Sequence, residues 1–433
     1  MEFLKPILLS GGGRTGSTQI MSSLGSDPRV AFDREFPYEN RYLTYFAKLD
    51  LLLQRPDLLK FFQPQQLFER NYLGFGGYMP GPDYVPDFSP YVYLPRAEAG
   101  GWLRALWHKF SSDVRQENPD CTLYAEKAPV WLPPMLRQHM DVFTLYNVRD
   151  PRDIFLSTNA FMKKSRARGF AREKGATDRD HIRRVAQAFL NTFDNYYVDR
   201  NRRDTLLVRY EDYVCDRPEV LENISRLTGV ELKSGNDFFN SSHATTKDIA
   251  GSVQRWKREP ILPDLLSLLE QLLQEEMTTL GYPLSSAGGR VSGRTISFAQ
   301  GGAKLSKIDH SSQGRLEAAA DYAVVQVAGP DFHIFLPIDP FEAAEVKEVW
   351  ASLSGGVGNI CSLYWRRRDT DFDETCALHV PYTPAPHWGM TSFPVHTHPE
   401  WRGTITHLRL DLFNSHLRPN CGTGGLRWVR LVP

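Results

Sequence analysis

The chain has 433 residues, with 51 Lys and Arg set against 51 Asp and Glu, so its formal net charge at pH 7 is zero. That balance argues against a general nucleic-acid or membrane-surface binder, and the length calls for two domains. No run of about 18 apolar residues occurs, so no membrane span is expected.

The five cysteines, Cys121, Cys215, Cys361, Cys376 and Cys421, are scattered, odd in number and without a C-x-x-C pair. They predict reduced thiols. The first ten residues also lack the basic segment and long apolar core of a secretion signal, so the expected location is cytoplasmic.

An apolar run, Ile7-Leu8-Leu9, leads directly into Gly11-Gly12-Gly13-Arg14-Thr15-Gly16-Ser17-Thr18. A strand that turns on glycines and reopens as a helix presents a ring of backbone N–H groups and the positive end of a helix, which suits a phosphate or a similar anion. Three templates compete. A nucleoside-triphosphatase loop needs Lys where this chain has Ser17, so that reading loses its main cation. A dinucleotide turn is matched by Gly11, Gly13 and Gly16, with Asp33 and Glu35 about 20 residues on, but it leaves Arg14, Thr15, Ser17 and Thr18 without a role. The third is a loop with a central cation followed by hydroxyls, suited to a phosphosulfate.

Residues 29–32 read as a second strand that delivers Asp33, Arg34 and Glu35 to its carboxyl end. Residues 72–93 combine Gly, Pro and Tyr into a long irregular loop, of the kind that often carries function. A helix is expected over 101–110. It carries His108, which with His139 is a possible base by chemistry alone. A strand over 121–124 then delivers Glu126 and Lys127.

Residues 142–148 read as a buried strand, followed by Arg149, a helix cap at Asp150 and Pro151 in the first helical turn. Ser157 then falls about two turns along, so a guanidinium and a hydroxyl converge on one point, as a second phosphate requires. A basic run follows with Lys163, Lys164, Arg166, Arg168, Arg172 and Lys174, either a solvated helix face or a lid over an anion. Residues 206–212 read as a strand running into an acidic turn that holds Tyr210. Beyond Arg255, Trp256, Lys257 and Arg258 lies a Leu-rich amphipathic helix ending near Leu280.

The Gly-rich loop and the Arg149–Ser157 segment, in this order and with a spacing of eight in the second, resemble the sulfotransferases that use 3′-phosphoadenosine-5′-phosphosulfate (PAPS). The resemblance extends over residues 1–285. It implies a P-loop-like parallel sheet flanked by helices, with Gly13, Arg14, Thr15, Gly16, Ser17, Thr18, Arg149, Ser157, Tyr210, Arg255 and Trp256 at the cofactor. Many members carry Lys where this chain has Arg14. The better-known soluble members grip the 3′-phosphate with a Lys-Gly-rich stretch that here reads Gly251-Ser252-Val253-Gln254-Arg255. Some prokaryotic carbohydrate sulfotransferases use a Glu soon after the second strand as base. Glu35 matches that position, with Glu126 as runner-up and Arg14 and Lys127 as candidates to contact the sulfuryl group. Golgi members of the family are normally tethered by a membrane helix, so a bacterial cytosolic enzyme acting on a glycan or polysaccharide is the expectation.

Residues 286–294, rich in Ser and Gly, read as a linker. Short strands between Gly/Pro turns follow at 322–327, 332–336, 360–365, 376–380, 405–410 and 426–432, which predicts an antiparallel β-sandwich over 295–433. Here Tyr364-Trp365, the acidic run 369–374, and Trp401-Arg402-Gly403-Thr404-Ile405 followed by Leu408-Arg409-Leu410-Asp411 resemble a β-sandwich module appended to bacterial surface-glycan enzymes. Trp350, Trp365, Trp388, Trp401 and Trp428 either form a sugar platform or pack the core, and core is the expectation for most of them. His396 and His398 suggest a metal only if they share a strand face with a third ligand, and none is identified, so no metal is expected. Two other functions stay open: an NAD- or nucleotide-sugar-dependent enzyme, and a non-catalytic glycan-binding protein.

Overall fold

The computed structural model describes residues 3–54, 100–165, 175–233, 244–285, 295–299, 305, 308–356, 360–368, 370–382, 385–414 and 422–433. The expected loop over 72–93, the linker over 286–294 and most of the basic run lie outside the described residues. The chain forms two compact units, Met1–Ala167 with Asp199–Arg258, and Arg168–Val198 with Glu259–Pro433.

The chain begins β1 (Lys5–Gly11), α1 (Ser17–Leu24), β2 (Val30–Phe32), α2 (Tyr42–Gln54), α3 (Gly101–Glu117) and β3 (Leu123–Ala128). It continues α4 (Leu132–Leu136), β4 (Phe143–Val148), α5 (Pro151–Ser165), α6 (Asp178–Asp199), β5 (Thr205–Arg209), α7 (Tyr210–Val214), α8 (Pro218–Thr228) and α9 (Pro263–Thr279). In the first unit five parallel strands form a sheet in the order β2-β3-β1-β4-β5. Here β3 lies between β2 and β1, unlike the dinucleotide-binding order, in which β2 sits beside β1.

The sheet has apolar cores on both faces, and strand alternation decides which residue enters which. Ile7, Leu9, Leu123 and Ala125 pack with Ile20, Met21 and Leu24 of α1. Leu8 and Tyr124 pack on the other face with Leu43 of α2 and Leu103 and Trp107 of α3. β3 runs further than its expected end at residue 124. It pairs with β1 from Lys5↔Leu123 to Ser10↔Ala128, so Glu126 and Lys127 lie within the strand rather than after it. Being adjacent, the two residues point to opposite faces.

The second unit contains β6 (Thr295–Ser297), β7 (Gly314–Ala318), β8 (Ala323–Val327), β9 (His333–Leu336), β10 (Phe341–Glu342) and β11 (Glu348–Gly355). It continues with β12 (Ile360–Arg367), β13 (Ala377–Pro381), β14 (Ala385–Phe393), β15 (Thr404–Asn414) and β16 (Gly422–Val432). These form two antiparallel sheets, ordered β14-β11-β16-β8-β7 and β10-β15-β12-β13, with β6 paired to β16 and β9 to β15. All six expected strands are present: β12, β15 and β16 run beyond their expected ends, β8 and β9 begin one residue later than expected, and β13 is shifted by one residue. The short β6 and β10, the edge strands β7 and β14 and the central β11 are additions to the expected set. In β11, Val349, Ala351 and Leu353 join the sandwich core, while Trp350 and Ser352, on the other face, are also buried.

The second unit also holds α6 up to Val198 and all of α9. Asn195 donates to Trp388 O at 2.8 Å and accepts its N–H at 3.0 Å, and Asp194 accepts Ser352 Oγ at 2.6 Å and pairs with Arg427. On α9, Glu276 pairs with Arg430 at 2.9 Å. All five tryptophans of the strand region are buried, so packing accounts for them and none offers an exposed sugar platform. Among the described residues no helix is long and apolar enough to cross a membrane, and Cys121, Cys215, Cys361 and Cys376 are free thiols.

Candidate active site

Between β1 and α1 the chain makes a tight turn in which Arg14 and Gly16 take positive φ, 64° and 86°. Gly16 is required twice over. A side chain disfavours that backbone, and a Cβ there would land on the Tyr210 ring. Gly11 is required by close approach, since its Cβ would strike the Asn147 carbonyl. Buried Thr15 closes the turn: its hydroxyl donates to Gly12 O at 2.8 Å, and Asn147 Nδ2 donates to Thr15 O at 2.9 Å. No side chain caps α1 at Gly16, so the first-turn N–H groups that follow, at Ser17 and Thr18, are not covered by a capping group. Gly13 stands exposed in the turn.

β4 runs parallel to β1 and carries Arg149 just past its end. The next helix forms as its sequence requires: Pro151 occupies the first turn, and Asp150 accepts the Arg152 N–H at 3.0 Å. Ser157 on α5 then reaches the Gly-rich turn, where Arg14 Nε donates to its Oγ at 3.2 Å. Arg149 donates to Arg14 O at 3.0 Å and to Ser252 O at 2.6 Å. Arg255 donates to Thr245 Oγ1 at 3.0 Å, and that hydroxyl lies 3.3 Å from Ser157 Oγ. Tyr210 is buried behind the turn, with its hydroxyl 2.9 Å from Ser252 Oγ and its ring under the Arg149 guanidinium.

Three guanidinium groups, Arg14, Arg149 and Arg255, therefore gather at one turn. Burial, together with the neighbouring Arg149 and Arg255 charges, pulls the Arg14 guanidinium down to about 10. Like charges held together away from water are costly, and an anion in their midst offsets the cost.

Asp153 holds Trp256 in place by accepting its backbone N–H at 2.9 Å, and the Arg152 guanidinium stacks on the indole at 3.7 Å. Asp153 Oδ2 is buried without a hydrogen-bond partner among the described residues, and burial, with Asp150 nearby, raises its carboxyl to about 6. A raised folded-state value means the native state holds the proton more tightly. The associated stability is full below the ordinary carboxylate range and is lost as pH rises through about 6, at most roughly 3 kcal/mol. Asp153→Asn, followed by thermal unfolding of the ligand-free chain from pH 4 to 7, is expected to flatten that decline. An unchanged pH slope would show that Asp153 is ionised throughout.

On the other side of α1, Lys127 Nζ donates to Thr18 Oγ1 at 2.8 Å, to Pro37 O at 2.7 Å and to Glu39 Oε1 at 2.8 Å. Burial lowers the Lys127 ammonium from its ordinary value, against the pull of Glu39. For Glu39, burial acts upward, but the Lys127 and Arg41 charges outweigh it and hold the carboxyl below the usual range. Glu126 takes the opposite face of β3 and is fully occupied. It accepts the Leu43 N–H at 2.9 Å, the Thr44 N–H at 3.0 Å, the Thr44 hydroxyl at 2.5 Å and the Tyr124 hydroxyl at 2.9 Å. A buried carboxylate that anchors the start of α2 has no lone pair left for a substrate proton.

Glu35 is exposed in the turn after β2, and its carboxylate has no hydrogen-bond partner among the described residues. Asp33, which a dinucleotide site would aim at a ribose, is spent on the turn, accepting the Glu35 N–H at 3.0 Å and the Asn40 N–H at 2.9 Å. His108 is exposed with its ring against Phe3, and His139 packs beside Gly100. Sequence reasoning missed Glu39, Asn147, Thr245 and Ser252. Their roles arise from long-range contacts, and only the carboxylate pair Glu35 and Glu39 on one short turn signalled any of them.

His396 Nδ1 is bonded to Lys347 O at 2.7 Å and His398 Nδ1 accepts the Glu400 N–H at 3.2 Å, in a short helical turn rather than on a strand face. Asp331, His333 and Asp411 do converge, but the Arg409 guanidinium already bridges the two carboxylates at 2.9 and 2.6 Å.

No family model and no curated protein matches the sequence. Solved structures similar to parts of the chain include a sulfotransferase domain from the Synechococcus PCC 7002 olefin synthase. It is 16% identical, covers 66% of this chain and 98% of that one, and has a TM-score of 0.37. A sulfotransferase domain from the curacin biosynthetic pathway is 15% identical over 67% of this chain and 97% of its own, with a TM-score of 0.31. A xylan-binding module of Roseburia intestinalis is 16% identical over 29% of this chain and 92% of its own, with a TM-score of 0.22.

Proposed function

We propose that the chain is a PAPS-dependent sulfotransferase that modifies a hydroxyl of a carbohydrate. In this reading residues 1–285 form the transferase, 286–294 a linker and 295–433 a glycan-holding β-sandwich. The contact between Arg14 and Ser157, 143 residues apart in sequence, supports it most, because it joins two anion-binding motifs into one site.

PAPS supplies the sulfuryl group: the acceptor oxygen bonds to sulfur as the bond to the bisphosphate breaks. Gly13, Arg14, Thr15, Gly16, Ser17 and Thr18 cradle the 5′ side. Arg149, Ser157 and Arg255 take the 3′-phosphate, while Tyr210 and Trp256 shape the walls. Arg14 and Lys127 neutralise charge on the transferring and leaving oxygens, a role that in such transfers carries most of the acceleration. Glu35 takes the acceptor's proton. The free thiols suit a reducing compartment, so the reading includes a cytoplasmic setting.

Thermal-shift titrations with adenosine 3′,5′-bisphosphate, AMP, NAD and ATP test the cofactor assignment. The bisphosphate is expected to stabilise the chain most. A larger shift with NAD would favour the nucleotide-enzyme alternative, and no shift with any of them would favour a purely glycan-binding protein. A screen of glycans with radiolabelled PAPS then identifies the acceptor.

A further inference from the structure

The edge strands β13 and β14 of the two antiparallel sheets flank a cleft of about 480 Å³, within the roughly 300–1,000 Å³ of small-molecule sites. Its walls are Leu353, Val380, Tyr382, His387, Met390 and Thr391. We propose that this cleft is a binding subsite for an uncharged saccharide unit.

The hollow has a local cause. Phe393 of β14 enters the sandwich core, and Thr391 and Gly389 follow on the same face at two-residue spacing. At Gly389 the side chain is missing where the core would otherwise be filled. A Cβ placed there meets only His387 Nε2, at 3.8 Å. The pairing of β14 with β11 shifts register between Leu353 and Gly355, and such irregularities re-aim side chains beside binding sites. His387 lies in that shifted stretch, with Nε2 over the hollow and a buried Nδ1 that has no hydrogen-bond partner among the described residues. The Thr391 hydroxyl has no partner among the described residues. Tyr382 is fixed as a wall, its hydroxyl donating to Gly355 O at 2.7 Å.

The lining selects the ligand's chemistry. Among the described lining residues none is Asp, Glu, Lys or Arg. Burial pulls His387 down to about 4, so its imidazole is neutral at physiological pH and both donates and accepts. Apolar walls, a neutral imidazole, a hydroxyl and the backbone of two sheet edges, unpaired among the described residues, match a molecule with apolar C–H faces and a rim of hydroxyls. A pyranose is such a molecule. Among the described lining residues no cation would neutralise a sulfate ester, so an uncharged unit is favoured over a sulfated one. On the proposed function the cleft would therefore hold the unmodified glycan and release the sulfated one. The saccharide site deepens the glycan-holding role proposed for residues 295–433 and rests on that reading, whereas the release of the sulfated product rests on the transferase reading.

Calorimetric titration of the full chain with xylohexaose, cellohexaose and isomaltohexaose tests the proposal. At least one is expected to bind. Gly389→Val, which fills the hollow, is expected to weaken it about tenfold or more, and Thr391→Val to weaken it less. Bisphosphate titrations of the same samples are expected to be unchanged, which separates this site from the cofactor assignment. Absence of binding by all three sugars, or binding equal in wild type and a folded Gly389→Val variant, would overturn the proposal.

Discussion

Replacing Glu35 by Gln is expected to lower turnover by roughly 10²–10⁴-fold while leaving bisphosphate affinity unchanged. On the proposed function three carboxylates are candidates for the base, and their environments differ sharply. Glu126 is buried and accepts four hydrogen bonds, three of them from Leu43 and Thr44 at the start of α2. Glu39 is paired with Lys127 and Arg41. Glu35 is exposed and its carboxylate has no hydrogen-bond partner among the described residues, so the proposed function assigns the proton to it. Initial-rate measurements on the Gln variants distinguish the three. Glu126→Gln turns an amide donor toward groups that already donate, so it is expected to cost about 1–3 kcal/mol of stability rather than turnover. Glu39→Gln is expected to loosen Lys127 from Thr18 and to have an intermediate effect. Near-normal turnover of the Glu35 variant with a collapse at Glu39 would move the base to Glu39.

Arg149→Ala is expected to remove most of the preference for adenosine 3′,5′-bisphosphate over AMP. A charge-assisted contact is worth about 1.5–3 kcal/mol, roughly ten- to hundredfold in affinity. The same side chain also braces the Gly-rich turn through Arg14 O and Ser252 O, so AMP binding is expected to weaken as well, though by less. Arg149→Lys keeps the charge but loses the fork, and should fall between the two. Calorimetric titration of the three proteins with both nucleotides gives the comparison. Equal affinity of the wild-type chain for bisphosphate and AMP would sink the assignment of Arg149 and Ser157 to a 3′-phosphate.

Much of the parallel-sheet unit is legible in the amino-acid sequence alone. The Gly-rich turn, the Asp150 cap, Pro151 at the head of α5 and the apolar runs of β1, β4 and β5 are set by neighbouring residues, through backbone sterics, capping and period-two alternation. The six expected strands of the second unit are marked in the same way. Tertiary structure alone decided the rest. β3 extends through Glu126 and Lys127 because β1 pairs with it residue by residue, and strand parity then buries one charge under α2 and aims the other at α1. β11 carries no sequence signal because it is buried on both faces, so no alternation of polar and apolar residues marks it. The pairing of α6 and α9 residues with strand residues through Asp194 and Glu276, and the uncharged cleft at Gly389, likewise depend on partners far away in sequence. Local chemistry specifies elements and turns, whereas register, burial and the meeting of distant side chains are settled only when the sheets assemble.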